Sequence, residues 1–182
     1  MRIRPEPTFV TLLGEQVRHE FTASQQYIAI AVWFDDLDLP RLAERFYAQS
    51  VEERNHAMMM VRYMLDRDWS VEVPGVDPVR NAFDKPAEPI ALAYAQEQKV
   101  TEQCEALFRA ARAEGDVLSE QFMLWFLKEQ VEEVASMKTL LTITERAGDD
   151  WFQVEEHLAR EPQEDPDDAS APEAAGGMLS AG

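Results

Sequence analysis

The sequence predicts an all-α fold, a four-helix bundle with one long crossover and a short C-terminal fifth helix. Three observations lead there. Apolar residues recur at spacings of three and four through four long stretches, which is the period of a helix with one buried face. Those stretches are separated by two short breaks and one long one. Finally, the chain repeats itself: Glu20 and Glu97, Glu53 and Gln130, and His56 and Glu133 are each 77 residues apart, as are Glu52 and Glu129. Two helical hairpins packed about a pseudo-twofold axis would carry such a repeat.

The first helix reads from about Thr8 to Asp36, with Leu13, Val17, Ser24, Ala31 and Phe34 on one stripe and Glu20 and Tyr27 on the same stripe. Leu37-Asp38-Leu39 breaks it, and Pro40 suits a first helical position. The second helix runs to about Asp66, with Leu42, Phe46, Gln49, Glu53, His56 and Met60 on one face. So short a connection makes the two antiparallel neighbours. Residues 68–89 then lose periodicity and hold Pro74, Gly75, Pro78, Pro86 and Pro89. A helix of 26 residues is about 40 Å long, and 22 extended residues span roughly 70 Å, so this segment can travel the full bundle length. The helices on either side of it are then parallel. The third helix is expected at about Ile90–Glu114, closed by Gly115-Asp116, and the fourth at about Val117–Ala147. After Gly148, Trp151–Leu158 reads as a short helix with four large apolar residues, Trp151, Phe152, Val154 and Leu158. Eight residues cannot hold such a helix alone, so it needs a partner and is expected to serve assembly. Residues 161–182 contain six acids, no bases, three prolines and three glycines, a composition that predicts disorder. The expected organisation is one domain over residues 1–160 and an acidic tail over 161–182.

The 182 residues suffice for one domain with a substantial core. A net charge of −18 argues against nucleic acid and anionic membrane surfaces as partners and suits attraction of cations. Cys104 is the only cysteine, which excludes an intrachain disulfide and a cysteine-rich metal cluster. The first residues are charged and proline-bearing with no apolar run behind them, and no stretch approaches 18 apolar residues. The expectation is a cytoplasmic protein without a signal peptide or membrane span.

Against this fold, Glu20, Glu53, His56, Glu97, Gln130 and Glu133 stand where a bundle normally places apolar side chains. Glu53 and His56, like Gln130 and Glu133, are three residues apart and share a helix face. Burying so many ionisable groups is prohibitive without compensation. Oxygen donors with one imidazole point to a divalent metal, with iron the first choice. One Glu from each of two helices and a Glu-x-x-His pair from each of the others is the di-iron carboxylate pattern of such bundles. The chain fits it, except that its second pair is Gln130-x-x-Glu133.

Over about residues 8–160 the chain resembles bacterial non-haem ferritins, particularly the actinobacterial kind, through EFTASQQYIAIAVWF, QSVEERNHAMMMVRYMLDRD, VEVPGVDPVRNAFD and EQFMLWFLKEQVEEVA. The resemblance implies an iron-storage protein, a 24-subunit homo-oligomeric cage with a di-iron ferroxidase centre inside each subunit, using Fe(II) and O2 as substrates. It implies that Glu20, Glu53 and His56 hold one iron, that Glu97 and Glu53 hold the other, and that Glu53 bridges them. Gln130 matches a glutamine beside the irons, Glu133 a carboxylate close to them or at a third iron, and Tyr27 a tyrosine next to the centre. Glu52, Glu129 and Glu132 match members of a third iron site, and Asp116 and Glu120 fall near the family's threefold pore.

Two alternatives stay open. Haem-containing bacterioferritins are similar, but they carry a haem-binding methionine where this chain has Arg54, and a Glu-x-x-His second motif; no haem is expected here. A di-iron oxidase or peroxidase uses the same bundle without storing metal. A DNA-binding mini-ferritin fits less well, since those place their ligands across a subunit interface and often carry a basic arm. A role for the acidic tail in recruiting an encapsulating partner finds no support in the residues.

Overall fold

Thr8 opens α1 (Phe9–Asp36): its hydroxyl accepts a hydrogen bond from the Thr11 amide, 3.3 Å, satisfying one of the free donors of the first turn. A computed structural model describes residues 8–160 and 170–180. α1 ends at Leu37 and at Asp38, whose φ of 56° reverses the chain. Pro40 begins α2 (Pro40–Asp66), where its missing N–H leaves nothing unpaired. α2 has no side-chain cap of its own. Instead the carboxylate of Glu155, 113 and 114 residues away, accepts from the Leu42 and Arg41 amides at 2.9 Å each.

The crossover (67–86) lies along α1. Gln26 clamps it in both directions, its Nε2 donating to the Arg80 carbonyl and its Oε1 accepting from the Arg80 amide, both 2.8 Å. Phe83 is buried beside Trp33, ring centroids 5.5 Å apart. α3 (Ala87–Glu114) begins three residues before the expected Ile90, because Pro89 is tolerated within a first turn, where amides have no intrahelical partner. Gly115, at φ 72°, stops α3 in the left-handed conformation that a Cβ disfavours. Asp116 caps α4 (Val117–Ala147) by accepting from the Ser119 amide at 3.2 Å. The start of α1 meets the end of α3, where the Phe9 amide donates to Glu114 at 2.7 Å, so α1 and α3 are antiparallel and α2 and α3 parallel. This is the one-crossover bundle expected from the sequence, with no strand among the described residues.

The core is in two parts. One cluster packs Phe9, Leu13, Met60, Leu107, Met123 and Phe126. The other packs Tyr27, Phe34, Phe46, Ile90, Met137 and Leu140. The polar layer that carries the candidate site lies between them in helix register.

Two expectations need revision. α5 (Trp151–Leu158) is not left waiting for another subunit: Val154 is fully buried in the second cluster, with Trp151 and Leu158 packed beside it. Only Phe152 among its large apolar residues projects outward, 88% exposed. Nor do residues 170–180 behave as a disordered tail. The Ala175 amide donates to the Met58 carbonyl (3.0 Å), and Asn55 exchanges two hydrogen bonds with the Leu179 backbone (2.9 and 3.0 Å). Ala171, Ala174 and Ala175 lie against the first cluster. Small side chains let the backbone approach α2, and Gly176 and Gly177 supply positive φ (79° and 84°) for the turn. The rest of the expected tail, residues 161–169 with 181 and 182, lies outside the described residues.

Candidate metal centre

Glu20 of α1 and Glu53 and His56 of α2 are at most 5% exposed, and each can present one donor atom such that all three lie within 4.8 Å of one another. His56 Nδ1 is 3.3 Å from Glu53 Oε2. The imidazole is walled by Trp125 and Phe126, ring centroids 5.7 and 5.8 Å away and edge-on, which keeps water from that side. Glu20 Oε2 is buried with no hydrogen-bond partner among the described residues. A native interior rarely leaves such an acceptor unpaired, and a cation bound there would supply what it lacks.

Glu97 of α3 joins from across the bundle. The Tyr27 hydroxyl donates to its Oε1, and Gln130 Nε2 lies 3.5 Å from its Oε2. Thr101 orients Gln130, donating to its Oε1 at 3.0 Å. Glu133 is tied to the α2 side by Gln49, whose Nε2 donates to Glu133 Oε2 at 2.8 Å and reaches Glu53 Oε1 at 3.5 Å.

Four carboxylates in one dry layer oppose one another. Burial pushes Glu53 well above the usual carboxylate range, and the charges of Glu97, Glu20 and Glu133 push it further. Burial likewise raises Glu133, with Glu97 and Glu52 adding to the rise and the Gln49 hydrogen bond opposing it. Glu97 is raised by burial to about 7; Glu20 adds to this, while hydrogen bonds from Tyr27 and Gln130 hold it back. Burial lowers His56, keeping the imidazole neutral and able to donate a lone pair. Burial and Glu97 raise Tyr27 well above its ordinary value, so it stays a protonated donor.

Glu52, Glu129 and Glu132 lie outside this layer. With Glu133, Gln49 and Arg45 they line a neighbouring cavity of about 120 Å³. Gln49 and Glu133 belong to both, so the cavity adjoins the centre. Glu132 is mostly exposed, with Lys128 at 4.0 Å. Asp116 and Glu120 are both held by arginines of the same subunit: Asp116 by Arg67 at 2.9 and 3.2 Å, Glu120 by Arg112 at 3.0 and 3.1 Å. Sequence reasoning overlooked Gln16, Thr101 and Arg45, and placed Gln49 on the site face of α2 without giving it a role. Both glutamines had a signal: Gln16 and Gln49 each precede a site glutamate by four residues, one helical turn, and Gln16 Nε2 does donate to Glu20 Oε1 at 2.9 Å.

Among the described residues no helix is long and apolar enough to cross a membrane. The model of the ferritin-like domain family matches residues 10–147. "Ferritin BfrB" of Mycolicibacterium smegmatis is 60% identical over 171 residues, 94% of each chain. A Mycobacterium tuberculosis relative, 57% identical over 96% of this chain and 97% of its own, carries the name "Bacterioferritin BfrB" in one strain and "Ferritin BfrB" in others. "Bacterial non-heme ferritin" of Staphylococcus aureus is 34% identical over 76% of this chain and 83% of its own. Among solved structures, an open pore ferritin from the archaeon Archaeoglobus fulgidus superposes with a TM-score of 0.81 at 26% identity, covering 85% of this chain and 96% of that one. The matched domain takes in all four bundle helices and every residue of the polar layer, and the chain belongs to the ferritin family of iron-storage proteins.

Proposed function

We propose that the chain is a ferroxidase as well as a store: it takes two Fe(II) ions as substrates at the polar layer, oxidises them with O2, and passes ferric iron to a mineral inside a 24-subunit cytoplasmic cage. The observation that carries this reading is the convergence of Glu20, Glu53 and His56 within 4.8 Å, with a buried Glu20 oxygen that no group among the described residues satisfies. Glu20, Glu53 and His56 would hold one ion, and Glu53 and Glu97 the other. The central position of Glu53, beside His56 and raised by the charges of Glu97, Glu20 and Glu133, supports its role as the shared ligand. Carboxylates with one imidazole hold iron without fixing either oxidation state, so each ion can give one electron to O2.

The chain's own groups do the rest. Protons retained on the raised carboxylates leave as a cation arrives, because ligands bind deprotonated. Tyr27 and Gln130 steady Glu97, and Gln49 steadies Glu53 and Glu133. The adjoining cavity, with Glu52, Glu129 and Glu132 on its wall, gives oxidised iron a carboxylate-lined way out or a third resting place. A net charge of −18 draws cations toward the assembly. Aerobic addition of Fe(II), followed by electron microscopy, is the direct experiment. Electron-dense cores inside hollow shells are expected; rapid oxidation with no retained iron would instead mark a di-iron oxidase.

The bacterioferritin name among the relatives raises a haem reading. Arg54 stands where bacterioferritins carry the haem-binding methionine, and its Nη1 lies 3.4 Å from Asn55 Oδ1. We therefore propose that the protein binds no stoichiometric haem. A Soret band amounting to one haem per subunit pair in the purified protein would contradict this.

A further inference from the structure

Glu20 differs from the other carboxylates of the layer in how it is held. Glu97 receives Tyr27 and Gln130, and Gln49 serves Glu53 and Glu133. Glu20 Oε1 receives Gln16 at 2.9 Å, and its other oxygen meets no donor among the described residues unless Glu53 carries a proton. Gln16 is itself 2% exposed, one turn before Glu20 on α1. A glutamine can turn either face of its amide to a neighbour, and its oxygen would repel a carboxylate, so something must set its orientation.

The surrounding bonds do so by elimination. The guanidinium of Arg18 has only donors, and its Nη2 is 3.3 Å from His19 Nε2, so that ring nitrogen accepts. A neutral imidazole with Nε2 accepting carries its proton on Nδ1, which lies 3.4 Å from Gln16 Oε1 and donates to it. The Gln16 amide is thereby turned with its NH2 toward Glu20. Arg18 is anchored in turn by Asp77 of the crossover, 2.6 Å from its Nη1, and the Asp77 amide donates to Thr22 at 3.1 Å. From Arg18 the donations run in one sense, through His19 and Gln16 to Glu20, while Arg18 also donates to Asp77 and is held by it against the crossover.

Resting on the di-iron reading above, we infer that Gln16 is a positioning residue for one metal of the pair: oriented by His19, it fixes Glu20 so that its free oxygen faces the ion shared with Glu53 and His56. Gln16 touches no metal. Its influence is confined to the Glu20 half of the centre, because the Glu97 half has its own donors. Removing a hydrogen-bonding partner of a metal ligand typically lowers affinity about 10- to 100-fold.

The test is anaerobic titration of the metal-free full-length assembly with Co(II), following the visible bands for stoichiometry and the affinity of each site. Wild type should take up two Co(II) per subunit. Gln16→Met, of similar length but without an amide, should bind one Co(II) as wild type does and the other at least tenfold more weakly, with altered bands for that ion only. His19→Phe, which frees the amide to rotate, should shift the same ion in the same direction by less. Gln26→Met, which removes the clamp on Arg80 but leaves the Asp77–Arg18 contact in place, should leave both affinities unchanged. Equal weakening of both ions in Gln16→Met, or two wild-type affinities in it, overturns the inference while the di-iron reading stands. A wild-type protein that binds fewer than two Co(II) overturns both.

Discussion

Glu53 is the residue on which the centre turns, because it faces His56, Gln49 and three other carboxylates at once. Losing it should remove a ligand from both ions, whereas losing Glu20 removes one ligand from one ion. Glu53→Ala is therefore expected to lower the initial rate of Fe(II) oxidation by more than about 100-fold, beyond what loss of a supporting partner does, and Glu20→Ala by less. Stopped-flow absorbance of the ferric product measures both; an unchanged rate in Glu53→Ala would falsify the assignment. Glu97 makes a separate prediction about stability. Its pKa in the folded, metal-free protein is about 7 against an unfolded value near 4.5, so between these the folded state holds more protons. Stability contributed by this group therefore falls as pH rises from 4.5 through 7, by on the order of 3 kcal/mol shared among the coupled carboxylates. Glu97→Gln should flatten that decline, melting above wild type at pH 8 in chelator, and should lose the advantage when a redox-inert divalent ion is added. If Glu97→Gln melts below wild type at pH 8 without metal, the carboxylate is holding Tyr27 and Gln130 in place more than it is repelling its neighbours. The polar layer itself was legible in the sequence, since helix register and the 77-residue repeat mark Glu20, Glu53, His56, Glu97, Gln130 and Glu133 without coordinates. What orients them was not. Gln16 looks like an ordinary helix polar residue until the fold turns it inward, Gln49 was legible on the inward face but not as a donor to Glu133, and Thr101 acts on Gln130 across two helices.

At the scale of elements, the ends of the chain depart furthest from expectation. α5 read as an amphipathic helix in need of a partner, and periodicity cannot say whether that partner lies in the same subunit. It does for Val154, and Glu155 adds a polar reason by capping α2. Val154→Ala should cost roughly 2 kcal/mol, and Glu155→Ala about 1 kcal/mol through the two amides it strands. Thermal unfolding of each variant, reported as apparent midpoints because large assemblies often unfold irreversibly, measures both. Equal midpoints for Val154→Ala and wild type would show α5 to be an appendage. Residues 170–180 were misread because composition reports how much apolar area a segment can bury, not whether its backbone finds partners. Here three backbone hydrogen bonds to α2 and a row of alanines hold it. Asn55→Ala removes two of those bonds and should release the segment, making residues 170–180 more susceptible to limited proteolysis while the bundle stays intact. The four long helices were legible because their period is sustained for 27 to 31 residues with a threonine, proline, glycine or aspartate at each boundary.

For the whole molecule, the informative surface is what a single subunit leaves uncovered. Ile28 and Val32 on α1, Tyr47 on α2, Val117, Leu118 and Val131 on α4, and Phe152 on α5 are all exposed large apolar side chains. Scattered single residues would need no explanation, but several helices of one bundle presenting them fits a subunit enclosed by copies of itself. Phe152 separates folding from assembly most cleanly. At 88% exposure it contributes almost nothing to the isolated subunit, and its neighbours Val154 and Glu155 secure α5 without it. Phe152→Glu should therefore leave helicity and the packing of Val154 unchanged while weakening contacts between subunits, since a carboxylate buried there without a partner is strongly opposed. Size-exclusion chromatography with light scattering should show particles smaller than the wild-type assembly, growing back as pH falls toward the carboxylate range and the charge is lost. Wild-type-sized particles of undiminished stability in Phe152→Glu would place α5 outside the subunit contacts.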